Sequence, residues 1–235
     1  MDKLIRGIQH FQQHVFPTNQ TLFKELASGQ NPEVLMVGCS DSRLALDLIT
    51  QCAPGDMFVC RNAGNIVPPH ADTDAVSATI EFAVSALNVQ HIVICGHSDC
   101  GAMKGLLHPE KVSDMPQVRR WIRHADGARR ALDELNPGAT EEQALVAVTK
   151  LNVRLQLEHL RTHPHVFAQT RTRNLKLHGW VFDIASGAIE TWDEEKGVWG
   201  TLTTNCSTST PHLREMVPNL TLKSRPIHAF SVAGD

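Results

Sequence analysis

The sequence predicts an α/β fold, with a mainly parallel central sheet flanked by helices and preceded by an N-terminal helical arm. Three observations carry that prediction. The short continuous apolar runs EVLMVGC, MFVCRN and HIVICGH have the character of strands buried on both faces. Helical patterns alternate with these runs, the order that builds a parallel sheet. Two amphipathic segments come before the first run, ahead of any sheet they might cover. From pattern alone, packing on their own domain and packing on a partner subunit are equally good readings.

Taken in order, KLIRGIQHFQQHVF sets Leu4, Ile5, Ile8, Phe11 and Val15 near one helical stripe, and Pro17 is expected to end or kink that helix. NQTLFKELASGQ reads as a second helix, with Asn19 or Thr21 as cap and Gly29 at its end. TDAVSATIEFAVSALN is a helix capped by Thr73 or Asp74, and SDCGAMKGLL is a turn entering another. MPQVRRWIRHADGARRALDEL and TEEQALVAVTKLNVRLQLEHLRTH are the next two helices. LKLHGWVFDIASGAIETWD reads as a two-stranded unit about the Ser186–Gly187 turn. The expected organisation is an arm over 1–30, an α/β domain over 31–199 and a tail over 200–235, where Thr, Ser, Pro211, Pro218 and Pro226 gather. A tail of that composition is expected to hug the surface or stay loosely ordered.

Composition excludes several roles. A net charge of -3 gives no basic excess for nucleic acid. No window approaches the ~20 apolar residues of a membrane span, so membrane insertion is not expected. MDKLIRGIQH carries no apolar leader, which makes the cytoplasm the expected compartment. Six scattered Cys lack the spacing of a secreted disulfide scaffold. Cys52, Cys60 and Cys95 lie in or beside apolar runs and are expected to be buried free thiols; Cys206 reads as an exposed, incidental one.

Two of the strands finish in potential metal ligands, at the strand ends where open α/β sheets form sites. One ends at Cys39; the other ends at His97, with Cys100 three residues on. A lone His-x-x-Cys is weak evidence. Its pairing with Cys39, followed at once by Asp41 and Arg43, makes it stronger. Two thiolates and one imidazole form a zinc site, and a catalytic zinc keeps its fourth position for water or substrate. Asp41 then orients that water, and Arg43 holds Asp41 ionised and aimed off the metal through a charge-assisted pair. The plain alternative is a surface ion pair worth ~0–1 kcal/mol.

In this order and spacing, CSDSR, RNAGN and GHSDCGAMKGLL resemble the β-class carbonic anhydrases, nearest the bacterial and cyanobacterial branch that includes carboxysomal enzymes. The resemblance covers roughly residues 1 to 195 and takes in LIRGIQHFQQ and LHGWVFDI. It implies Zn2+ on Cys39, His97 and Cys100, a catalytic dyad of Asp41 and Arg43, and a backbone N–H of Gly101 facing the reacting oxygen. The implied reaction is reversible hydration of CO2 to bicarbonate and a proton by zinc-bound hydroxide. Phe58, Ala63 and Phe82 match substrate-pocket positions, partly across a dimer interface. In TQCAPGD, Ala53 stands where plant-type members carry a Gln, with Gln51 two residues earlier. The resemblance further implies an arm embracing a second subunit, hence a homodimer or higher homo-oligomer, and adds the carboxysome as an alternative compartment.

Some members of the class hold a regulatory bicarbonate on a Trp, an Arg and a Tyr. The Arg position matches Arg61, but the other two hold Met36 and Phe182, which donate no hydrogen bond. The expectation is therefore no such site, and a resting dyad with Asp41 on Arg43. Two other functions compete: hydrolysis of COS- or CS2-like substrates on the same fold, and a non-catalytic zinc-stabilised assembly protein. The dyad speaks against the latter, since a structural zinc has no use for it.

Overall fold

The computed structural model describes residues 1–71 and 74–202. The arm comprises α1 (Asp2–His10), a wider π-type stretch over Phe11–Val15, α2 (Phe16–Thr18) and α3 (Gln20–Leu26). Pro17, expected to end or kink the first helix, follows a widened, π-type turn, and the path stays helical only to Thr18. The missing N–H of Pro17 falls inside a continuous helical run, directly after a wider turn where the i→i−4 ladder is already interrupted. The Asn19 side chain does not cap α3; its amide donates back to the Val15 carbonyl at 2.9 Å. Within the single chain no residue of these helices is buried, and Leu4 and Ile8 are 63% and 57% exposed.

Behind the arm lies the expected α/β fold, a six-stranded sheet in the order β2-β1-β3-β4-β5-β6. The strands β1 (Val34–Cys39), β2 (Met57–Asn62), β3 (His91–His97) and β4 (Lys176–Phe182) run parallel. β5 (Ile189–Asp193) and β6 (Val198–Thr201) return antiparallel. β4 and β5 form the two-stranded unit read from the sequence, with Gly187 in the turn at φ 75°. The sequence reading did not anticipate β6; residues 203–235, including Cys206, lie outside the described residues.

Both faces of the inner strands are covered. Leu35, Val37, Ile92 and Ile94 point into one apolar layer, and Met36, Val93 and Cys95 into the other, the two-residue alternation of a strand. Between the sheet strands lie α4 (Leu46–Thr50), α5 (Ala75–Glu81), a second π-type stretch over Phe82–Ala86, and α6 (Gly101–Leu107). Asp74 caps α5 as expected, accepting from the N–H of Val76 and Ser77 at 2.8 and 3.1 Å.

The run from Pro116 is not one helix. It divides into α7 (Pro116–Ile122), a 3-10 turn over Arg123–Ala125 and α8 (Asp126–Leu135). Ile122, Ala125 and Ala128 are all buried, and their spacing of three matches the tighter turn rather than the α period. α9 (Glu141–Thr162) begins with a reciprocal cap between Thr140 and Gln143 and crosses β3 and β4. Val153 seats the helix on the sheet where Gly96 and Gly179 leave room; a Cβ at either would lie 2.9 Å from a Val153 methyl. α10 (Pro164–Thr172) then returns the chain to β4.

Candidate metal centre

The strand register brings the ligands together. Gly38 of β1 lies opposite Cys95 of β3, so Cys39 and His97 emerge at the same carboxyl edge. Cys100 stands at the N-terminus of α6, after a turn in which Asp99 takes a left-handed conformation at φ 59°. The ligand atoms of Cys39, His97 and Cys100 lie within 4.8 Å of one another, and all three residues are buried. Among the described residues no other such group of three occurs.

This donor set fits zinc. The two sulfurs are 4.0 Å apart, and Zn–S bonds of ~2.3 Å in a tetrahedron put sulfurs about 3.8 Å apart. His97 Nδ1–H donates to the Ser98 carbonyl at 2.8 Å, which leaves the Nε2 lone pair for the centre. That Nε2 is buried and has no hydrogen-bond partner. A buried polar atom without a partner is costly, and a metal removes the cost.

Electrostatics agree. The Cys100 thiol, His97 and the Gly64 N–H, at 3.3 Å, hold Cys39 well below the usual thiol range despite its burial. Hydrogen bonding to Cys39 and burial push Cys100 up, as expected when two thiols share one site without a cation. Burial alone would lower His97, but the closeness and charge of the Cys39 thiol raise it. Burial pushes the Cys95 thiol up to about 12, so that neighbour is inert.

Asp41 and Arg43 meet beside the ligands. Arg43 Nε donates to Asp41 Oδ1 at 2.9 Å and Nη2 to Oδ2 at 2.8 Å, a two-pronged pair. The Arg43 guanidinium holds the Asp41 carboxyl well below its ordinary range. Asp41 Oδ2 lies 3.9 Å from His97 Nε2. From β2, Arg61 donates to the carbonyls of Cys39 and Asp41 at 3.0 and 2.7 Å, fixing the turn that carries the acid.

The sequence reading missed the support for this centre. Gly64 has φ 83°, a conformation an L side chain adopts only with strain, and its added Cβ would lie 2.9 Å from that of Ala102. Segment 64–68 is fastened along one face of α9 and its end. Asn152 donates to the Gly64 carbonyl at 3.0 Å, and Gln156 accepts from the Val67 N–H at 2.9 Å. His159 donates to the Val67 carbonyl at 2.7 Å and His163 to that of Pro68 at 3.0 Å. Positions 152, 156, 159 and 163 recur at helical spacing, a polar stripe the sequence did display.

The pocket positions divide. Ala63 and Gly101 adjoin the centre, Ala63 next to Gly64 and Gly101 next to Cys100. The Ala63 carbonyl accepts from the Trp121 indole at 2.8 Å. Phe58 and Phe82 pair with each other, ring centroids 6.0 Å apart. Phe58 precedes Asn62, the register partner of Cys39, by four residues, about 13 Å along a strand. Within one chain, then, these two rings do not line the centre. Met36 and Phe182 belong to one apolar layer with no hydrogen-bond donor to offer. Of the other cysteines, Cys60 and Cys95 are buried as expected, but Cys52 is half-buried because it lies in the exposed loop after α4.

The family model described as carbonic anhydrase matches residues 34–189, a span that holds Cys39, His97 and Cys100 and the Asp41–Arg43 pair. The chain belongs to the carbonic anhydrase family. The carbonic anhydrase of Pseudomonas aeruginosa is 45% identical over 194 residues, 82% of this chain and 88% of the relative. Among solved structures, the β-carbonic anhydrase CcaA matches with a TM-score of 0.83 at 37% identity, covering 86% of this chain and 98% of that one. One of two tetrameric β-carbonic anhydrases from Sordaria macrospora matches with a TM-score of 0.74 at 33% identity, over 85% of this chain and 98% of that one. The protein is thus an enzyme of the β class of this family, whose substrates are CO2 and bicarbonate.

Proposed function

We propose that this chain catalyses reversible hydration of CO2 to bicarbonate and a proton, with Cys39, His97 and Cys100 holding a zinc ion. The observation that carries the reading is the unpartnered His97 Nε2 facing two close thiols, with a carboxylate–guanidinium pair alongside. When bound, zinc supplies a Lewis acid that brings the ionisation of a water near pH ~7.

The remaining work belongs to groups of the chain itself. Asp41, kept ionised by Arg43, accepts a hydrogen bond from the reacting water and so fixes its orientation. The Gly101 N–H, at the start of α6, donates to the substrate oxygen on which charge develops. Ala63 supplies part of the apolar wall that CO2 needs, and Phe58 and Phe82 supply another part from a second copy of the chain. Phe82 is 49% exposed in the single chain, which suits that role. The functional unit is a homodimer or higher homo-oligomer; the exposed α1 stripe and the tetrameric Sordaria relatives support it. The resting centre keeps Asp41 on Arg43, and no regulatory bicarbonate binds beside Met36 and Phe182, since both Arg61 hydrogen bonds go to backbone carbonyls and the other two positions are apolar. Among the described residues no helix is long and apolar enough to cross a membrane; the compartment we assign is the cytoplasm, with the carboxysome as its alternative.

Stopped-flow hydration of CO2 with a pH indicator tests this, together with metal analysis. The expected result is one zinc per chain and turnover that chelation removes and zinc restores. Zinc-replete protein without turnover overturns the reading.

A further inference from the structure

We infer that Asp99, braced by Lys104, is a positioning residue for the dyad: it grips Arg43 from the side opposite Asp41 and so keeps Asp41 turned away from the metal position. This deepens the zinc-site reading above and rests on it.

A guanidinium offers five N–H donors in a rigid fork. Two go to the Asp41 carboxylate. Of the others, Nη1 donates to Asp99 Oδ2 at 2.8 Å and Nη2 also donates to the Asp99 carbonyl at 3.1 Å. Arg43 is thus held twice on each side. The second grip exists because Asp99 is in the left-handed region, which Asp and Asn tolerate better than most residues. The other Asp99 carboxylate oxygen pairs with the Lys104 ammonium, one turn into α6. A chain of alternating charge, Asp41–Arg43–Asp99–Lys104, therefore joins the loop after Cys39 to the loop between His97 and Cys100.

The chain matters because Asp41 has two places to go. Its Oδ2 is 3.9 Å from His97 Nε2, and a carboxylate oxygen is a good zinc ligand. A modest rotation would set it in the position the reacting water needs. Only Arg43 opposes that rotation, and Arg43 is 44% exposed; an exposed ion pair on its own holds weakly. Asp99 and Lys104 add the restraint that a single pair lacks.

The test uses full-length protein loaded with zinc for kinetics and with cobalt(II) for visible spectroscopy. Asp99→Gly keeps the left-handed turn and the backbone acceptor while removing the carboxylate. The expected result is a fall in kcat/KM of about 10- to 100-fold, the usual cost of losing an outer-shell partner, with one metal per chain retained. The cobalt spectrum should shift toward carboxylate ligation, and the shift should vanish when Asp41→Ala is added. Asp99→Asn and Lys104→Met, which leave the turn intact, should move both readouts in the same direction by less. Unchanged kinetics and spectra in all three variants overturn the inference, as does a loss of activity that only tracks loss of metal. Failure of the zinc-site reading itself is a separate result, seen as unmodified protein lacking zinc or turnover.

Discussion

Asp41 illustrates how little sequence is needed for a defined chemical state. A single residue, Ser42, separates it from Arg43, and that spacing returns the guanidinium and the Arg43 backbone N–H to the same carboxylate. Asp41→Ala should leave zinc bound and lower CO2 hydration by ~10²–10⁴, the usual range for a lost acid–base partner. Stopped-flow rates beside metal content check this, and full activity would make Asp41 a structural anchor only. Because its folded pKa lies below the ordinary 3.8, Asp41 stabilises the fold fully above that value. The contribution is lost as pH falls below it. Any loss of activity near neutrality therefore has another cause. The site was legible at this scale because Cys39, Asp41, Arg43, His97 and Cys100 are close in sequence within two short motifs. Asp99 lay inside the same motif yet was passed over, since its function depends on a left-handed turn that spacing does not reveal.

At the scale of elements, α9 was read correctly from Thr140 onward because the capping residues and the apolar rhythm agree. What was not legible is its second function. Asn152 and Gln156 are buried polar residues whose partners are backbone groups some 90 positions away, and no local pattern announces such a pairing. Gln156→Leu leaves the Val67 N–H without an acceptor in a buried setting. It should cost ~1–3 kcal/mol, the usual penalty for such an orphan, read as a shift in denaturant midpoint at unchanged slope. A smaller effect on turnover than on stability is expected, since no reacting atom is touched. The 3-10 break after Ile122 was equally hidden, because Arg123, His124 and Asp126 suit an α-helix; only burial of residues three apart favours the tighter turn.

At the scale of the whole fold, burial favours the neutral form of three histidines among the described residues. His159, His163 and His178 all have pKa values lowered from the ordinary 6.5, desolvation being the largest cause in each. At these three groups the unfolded chain binds more protons than the folded one just below that pH, so their contribution to stability falls as pH drops through 6.5. Thermal melts at constant ionic strength should show the midpoint declining over that window. A flat profile would show the three histidines to be freely protonated in the fold. The arm supplies the other prediction at this scale. Leu4→Glu with Ile8→Glu charges a stripe that the single chain leaves exposed; if a second copy covers it, the variant should fall to monomer. Light scattering of the unmodified chain should give a dimer or larger at micromolar concentration, and an active monomer refutes the assignment.

The fastening of segment 64–68 to α9 also sets how the protein opens. Those residues form no strand and no helix, so their shape alone would place them among the fast-exchanging amides. Yet the Gly64 N–H ends on the Cys39 sulfur and the Val67 N–H on the Gln156 side chain, both deep in the interior. Neither can reach solvent unless the long helix lifts from the sheet or the thiol leaves its place. Hydrogen exchange should therefore find these two amides among the slowest in the chain, opening together with α9 as one cooperative unit. Their protection would then report the integrity of the Cys39–His97–Cys100 cluster from outside it.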